Sequence, residues 1–161
     1  MKLYHGSLEI AQKPEIRKAN RTLDYGRGFY TTTSYEQAEA WVRRHMDEVQ
    51  SAKGYVNVYE IPEGFPSTLH QLIFQSPTEE WVDFVMRNRT EMGFDHDYDI
   101  VYGPVANDRV YAAFALYEGG LLNKQDLIKE LKAYKLVDQY LFHTDAAIQT
   151  LTFIEAKEVM L

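Results

Sequence analysis

Along the 161-residue chain the spacing of apolar positions switches repeatedly between a period of two and a period near 3.6, with turn or cap residues at the changes. Lys2–His5 reads as a short strand that begins almost at once. Periodicity then vanishes: Ser7–Asp24 is polar and irregular, with Pro14 and the basic residues Arg17, Lys18 and Arg21. Gly26-Arg27-Gly28 leads into a short strand at Phe29-Tyr30. Ser34 followed by Gln37 has the form of a capping box, and it predicts a helix to about Val49 with Ala38, Trp41 and Val42 on the apolar face. Lys53-Gly54 predicts a turn, and the Val- and Tyr-rich run Tyr55–Ile61 a strand. Leu69–Phe74 is a weaker strand or an irregular segment. Pro77–Arg89 carries Trp81, Val82, Val85 and Met86 at helical spacing.

The second half continues in the same way. Tyr98–Val105 predicts a strand. Asn107 caps a helix through Tyr117 that Gly119-Gly120 ends, and Asn123 caps another to about Tyr134. Leu136–Phe142 predicts a strand, Thr144 a short capped helix to about Leu151, and Thr152–Val159 the last strand. Strands and helices mix without regular βαβ alternation, and neither repeat nor linker interrupts them. The reading is an α+β fold with residues 1–161 as a single domain.

Composition narrows the chemistry. With no cysteine, disulfides, thiolate catalysis and Cys-ligated zinc are excluded. The five histidines include no HExxH-like spacing, so no metal is expected. Hydrophobic content of 45% and aromatic content of 14% fit a packed core. No apolar run resembles a signal peptide or a membrane span, so a cytoplasmic protein without a membrane partner is the expectation. The net charge of -7 weighs against non-specific nucleic-acid binding while leaving room for a local basic groove.

Two short motifs offer candidate chemistry. Tyr4-His5-Gly6-Ser7 places a histidine at a strand end, where it is either a core residue or a group that hydrogen-bonds a ribose hydroxyl beside the bare backbone of Gly6. Gly26-Arg27-Gly28-Phe29-Tyr30 is not a Rossmann fingerprint, because the third glycine is missing and a strand follows. Its interest lies in Trp41, eleven residues after Tyr30 with a helix start between. Two aromatic faces across such a slot can sandwich a planar ring. Arg21 and Arg27, in the connecting loop, are read either as solvated or as cations for a diphosphate. Arg87-Asn88-Arg89 reads as a solvated helix end, and Asp108-Arg109 as an ordinary helix start or part of an acceptor site.

The string Gly28-Phe29-Tyr30-Thr31-Thr32, with Ala38 and Trp41, resembles the ADP-ribosyltransferase superfamily in its diphtheria-toxin-like and poly-ADP-ribose-polymerase-like branch. That branch opens on an aromatic-His-Gly-Ser/Thr motif like Tyr4-His5-Gly6-Ser7 and has two tyrosines eleven residues apart. The resemblance implies a single α+β domain whose split mixed and antiparallel sheets, flanked by helices, surround an NAD cleft. It places the nicotinamide ring between Tyr30 and Trp41, a ribose on His5 and the carboxamide on the Gly6 backbone, with Ser7 and Gly28 in the same motifs. The second aromatic is Trp instead of Tyr, which keeps stacking and loses a hydroxyl. In Asp138-Gln139-Tyr140-Leu141-Phe142, Gln139 stands where the family has its Glu, and strand alternation puts Asp138 on the opposite face. The chain also closely resembles an uncharacterised bacterial family, domain of unknown function 3990, in Tyr98–Val105 and in Gln139 before Phe142-His143-Thr144.

What the resemblance implies is a mono-ADP-ribosyltransferase that consumes NAD without a metal, with Gln139, His5 and Tyr30 at the reacting centre. The acceptor is an unidentified protein or nucleic acid, and a cognate inhibitor protein is a conceivable partner. Three alternatives stay open: an NAD glycohydrolase, a weak or inactive NAD or ADP-ribose binder, and an interaction module with no nucleotide site. A neutral Gln hydrogen bond contributes about 0.5–1.5 kcal/mol against about 1.5–3 for a charged one. The exchange therefore costs roughly a factor of ten in rate.

Overall fold

The computed structural model describes residues 1–17 and 23–160. Its elements, in chain order, are β1 (Lys2–Ser7), β2 (Phe29–Thr31), α1 (Tyr35–Val49), β3 (Lys53–Glu60), β4 (Gln71–Ile73), α2 (Glu79–Thr90), β5 (Ile100–Pro104), α3 (Asp108–Glu118), α4 (Lys124–Lys132), β6 (Asp138–Phe142), α5 (Asp145–Ile148) and β7 (Thr152–Met160). The strands form two sheets. One is antiparallel, in the order β1-β3-β7. The other, in the order β2-β6-β5-β4, is antiparallel except where β4 runs parallel to β5. The fold is thus α+β with split sheets.

Among the described residues the sheets touch at one β-bridge, where Tyr4 and Thr32 exchange N–H···O bonds of 2.8 and 2.9 Å. Between them lie Leu3, Phe29, Tyr59, Ile100 and Phe142, all buried. Beneath α1, the buried side chains Ala38, Val42 and Met46 pack on Val56 and Val159. The far face of the mixed sheet is covered by α2, α3 and α4 through Trp81, Val85, Phe114, Leu127 and Leu131, which meet Val101 and Leu141. Gln139 falls on that helix-facing side of β6, beside the point where β1 and β2 part.

The helix starts follow their caps. Ser34, Thr78, Asn107, Asn123 and Thr144 each accept a backbone N–H three residues on. The helix expected from Pro77 begins instead at Glu79, with Thr78 as its cap. In α1 only half of the expected capping box forms. Ser34 Oγ accepts from Gln37 N–H at 3.1 Å, but the Ser34 N–H donates to Thr32 Oγ1.

Two sequence expectations are corrected and one is narrowed. Lys53-Gly54 is not a turn but the first part of β3, paired with Met160 and Val159. Gly54 lies where a Cβ would come within 2.3 Å of Val42 Cγ1 and 2.8 Å of Met46 Sδ, so a close helix–sheet contact explains the glycine. Only Gln71–Ile73 of the weak Leu69–Phe74 segment is strand. The end of α2 is not simply solvated: Asn88 is buried, and the Arg89 guanidinium stacks over Tyr111 at 4.6 Å. No helix among the described residues is long and apolar enough to cross a membrane.

Candidate functional site

A cavity of 1420 Å³ opens where β1 and β2 diverge. Its wall includes the segment after β1, one side of α1 from Gln37 to Glu48, the start of α3 and Gln139 from β6. Pockets for drug-sized ligands span about 300–1,000 Å³, so this open cavity is larger than that range. His5, Gly6, Ser7, Gly28, Tyr30, Trp41 and Gln139 all line it.

His5 is oriented by β2. Its Nδ1 lies 2.6 Å from the Tyr30 carbonyl, which can only accept, so Nδ1 carries the hydrogen and Nε2 is left as an acceptor. The ring rests on Phe29 with centroids 4.1 Å apart. Burial lowers its pKa to about 4, against the opposing pull of the Tyr30 bond, so the ring is neutral at physiological pH.

Gly6 has two reasons to be glycine. A Cβ there would come within 2.5 Å of Val42 Cγ2 and 2.7 Å of the Ala38 carbonyl. Strand alternation also turns its N–H and C=O to the edge that Tyr4 uses for Thr32, away from β3, and that edge borders the cavity. Ser7 Oγ accepts the Glu9 N–H at 3.1 Å and starts the loop that follows. Gly28 has φ 150°, and a Cβ there would meet Leu141 Cδ1 at 2.4 Å and the Phe142 carbonyl at 2.6 Å.

Tyr30 presents its ring and not its hydroxyl. The hydroxyl donates to the Gly26 carbonyl at 2.5 Å and accepts the Tyr25 N–H at 3.0 Å. Burial raises its pKa well above that of a free tyrosine. With both hydroxyl bonds made inside the protein, this geometry gives no support to proton transfer by Tyr30. Trp41 is 39% exposed, on the cavity edge of α1, with its ring tilted against His45 at 4.9 Å.

Gln139 is 8% exposed. Its Nε2 donates to the Pro104 carbonyl at 3.4 Å, and its side chain also hydrogen-bonds the Tyr25 hydroxyl. A carbonyl cannot donate, so the amide nitrogen faces inward and Oε1 is the atom left for the cavity. The Tyr25 hydroxyl anchors this node by donating to Pro104 O at 2.8 Å and accepting from Trp81 Nε1 at 2.7 Å. Burial pushes that hydroxyl far up in pKa, so it stays protonated. Asp138 points the other way, to Thr33 Oγ1 at 2.7 Å and the Tyr102 hydroxyl at 3.0 Å.

The two expected phosphate cations fare differently. Arg21 lies outside the described residues. Arg27 is not at the cavity; its guanidinium reaches 3.4 Å from Asp95, in a cluster where His143 Nε2 also meets Asp95 at 2.9 Å. Among the described residues, Lys13, Arg17 and Arg44 are the Lys and Arg side chains that line the cavity. Arg17 also bridges to Glu9 at 2.8 Å, on the surface. Among the described residues no three His, Asp or Glu side chains converge as a metal site would need.

Two residues that build the site were not singled out from sequence. One is Tyr25, for which a single tyrosine in a polar stretch gives no signal. The other is Asn57, fully buried in the centre of β3. Its Oδ1 accepts the Ala11 N–H at 2.9 Å, and its Nδ2 donates to the carbonyls of His5 and Glu9 at 3.3 and 3.2 Å. The cavity wall after β1 is tied to the sheet by this amide and by the Tyr59 hydroxyl, which donates to the Ala11 carbonyl at 2.5 Å. An Asn inside a Val- and Tyr-rich strand is unusual enough to have marked it.

A family model described as "Protein of unknown function (DUF3990)" matches residues 1–153, and the chain belongs to that family. No curated protein and no solved structure matches it.

Proposed function

We propose that this DUF3990 chain is an NAD-dependent mono-ADP-ribosyltransferase with an ADP-ribosyltransferase-like fold. One observation carries the reading. Residues singled out on separate motifs, His5-Gly6, Tyr30, Trp41 and Gln139, line one cavity although up to 134 positions separate them. In this reading nicotinamide lies between the rings of Tyr30 and Trp41, its carboxamide pairs with the free edge of Gly6, and His5 Nε2 accepts from a ribose hydroxyl.

The chemistry is heterolysis. The bond between ribose C1′ and the nicotinamide nitrogen breaks, and its electron pair neutralises the positive ring nitrogen. The sugar passes through an oxocarbenium-like state. A nucleophilic oxygen or nitrogen on a macromolecular acceptor, protein or nucleic acid, bonds to C1′ and gives its proton to solvent. The protein's contribution is to hold the ring, exclude water and oppose the developing positive charge. Gln139 Oε1 can accept from the ribose 2′-hydroxyl but brings only a dipole. That neutrality favours a second reading, an NAD-binding module with slow or no turnover.

The test is a pair of measurements on the whole chain. Calorimetry with NAD should show binding, weakened tenfold or more by Trp41→Ala. Radiolabelled NAD should leave label on macromolecules in lysate. Binding without label or nicotinamide release would favour the module, release without label a glycohydrolase, and no binding would sink the assignment.

A further inference from the structure

We infer that His96 and His143 form a clamp that positions Tyr30 from behind the cavity, an assignment that rests on the reading of the cavity as an NAD site. Neither histidine is part of the cavity wall. Both are buried, and their rings lie against each other with centroids 4.0 Å apart. What they hold is the turn that precedes β2. Three successive carbonyls of that turn each accept a side-chain hydrogen. His96 Nε2 donates to Tyr25 O at 2.7 Å, the Tyr30 hydroxyl to Gly26 O at 2.5 Å, and His143 Nδ1 to Arg27 O at 2.6 Å. A carbonyl only accepts, so the direction of each bond is fixed. The Tyr30 hydroxyl also accepts the Tyr25 N–H at 3.0 Å, so it is gripped by the turn on both sides.

The pair suits one arrangement of protons. His96 Nδ1 accepts the Tyr98 N–H at 3.2 Å while its Nε2 donates, which is a single neutral tautomer. Burial favours that neutral form by lowering the His96 pKa. His143 is placed differently. Its Nδ1 donates to Arg27 O and its Nε2 lies 2.9 Å from Asp95 Oδ1, so the imidazolium satisfies both acceptors. The other Asp95 oxygen lies 3.4 Å from the Arg27 guanidinium. Arg27 is thereby held at its carbonyl and at its side chain, and the turn is fixed to the connection between α2 and β5. A ring slot works only while its faces keep their separation, and a misplacement of about 1 Å from a remote change can cost about 100-fold. The Tyr30 ring can swing only with the turn that grips its hydroxyl. The two histidines hold the carbonyls on either side of that grip.

The experiment measures NAD affinity of the full chain by calorimetry, with each variant's melting transition as the check on folding. His96→Leu and His143→Leu each remove one donor to the turn and should weaken NAD binding at least about tenfold. His96→Gln and His143→Asn return an amide N–H to the place of the lost ring N–H, and should bind within about threefold of wild type. Tyr30→Phe keeps the ring and cuts its tie to the turn. In that background His96→Leu should cost less than about twofold more, because the clamp acts through the tie. A role in packing alone would lower the melting temperature, leave the affinity of the folded protein unchanged, and ignore Tyr30→Phe. If neither leucine variant folds, Asp95→Ala decides the matter. Asp95 is exposed, and its loss frees His143 Nε2 without touching the core, so NAD binding should weaken about three- to tenfold. Wild-type affinity in a folded leucine variant, or in Asp95→Ala where neither folds, would overturn the clamp alone. So would amide variants as weak as the leucine ones, or an undiminished effect of His96→Leu in Tyr30→Phe. Absence of NAD binding by wild type would overturn the NAD reading and the clamp together.

Discussion

His5 is held neutral by burial, and that has a consequence for stability that can be measured. Its folded pKa of about 4 lies below the unfolded value of 6.5, so the unfolded chain takes up the proton first as pH falls. Stability is complete above about pH 6.5, declines through the window down to about 4, and then levels. The full difference is at most about 3 kcal/mol, with about 2 of it gone by pH 5. Urea unfolding at pH 7.5 and pH 5 should show a smaller drop in His5→Asn than in wild type; His96, also lowered by burial, contributes equally to both. Gly6 gives a second residue-level prediction. Gly6→Ala must push Val42 or the Ala38 carbonyl aside, and overpacking of this kind costs about 1–3 kcal/mol, read as a lower urea midpoint. From sequence Gly6 was legible as a bare backbone for a ligand. That α1 also presses on it was not, because the contact joins β1 to a helix that begins at Tyr35.

At the scale of elements, what could be read was local and what could not was long-range. The caps Ser34, Asn107, Asn123 and Thr144 act on residues three positions away, so their side chains announce the helices they start. The division of strands into two sheets depends on pairings such as Tyr30 with Leu141, which no local period encodes. Lys53-Gly54 looked like a turn for the same reason, since the side chains of Val42 and Met46 that require its glycine are brought by the fold. Likewise nothing local to Arg27 signals Asp95 as its partner. Asn57 lies between these cases, and the loop it ties down makes it testable. Asn57→Ala leaves the Ala11 N–H and the Glu9 carbonyl without that partner. Both bonds are only part-buried, so the variant should lose about 0.5–1.5 kcal/mol for each. Amides of residues 9–13 should exchange faster with deuterium while those of α4 keep their wild-type rates; equal change across the chain would show that Asn57 serves the core and not the loop.

For the whole molecule, the position of the cavity ties ligand to fold. The antiparallel sheet supplies His5 and Gly6, the mixed sheet supplies Tyr30 and Gln139, and one bridge at Tyr4–Thr32 joins the sheets beside them. A ligand that touches all four residues acts as a second bridge. On the proposed reading NAD binds the folded state alone, so at about 100 times its Kd it should add about 2.7 kcal/mol of stability. The gain should appear as hydrogen-exchange protection concentrated in β1, β2 and α1. Trp41→Ala separates this linkage from ordinary packing. The side chain is 39% exposed and outside the core under α1, so its loss should cost under about 1 kcal/mol without ligand. Removing its stacking face should take away about 0.5–1.5 kcal/mol of ring contact plus the apolar area it covers, and with it most of the NAD-induced shift in melting temperature. A variant that melts like wild type without NAD but no longer responds to NAD is the expected outcome. If Trp41→Ala instead lowered the unliganded melting temperature by many degrees and kept the full NAD shift, Trp41 would be a packing residue of α1 and the ring slot would have to lie elsewhere along the cavity wall.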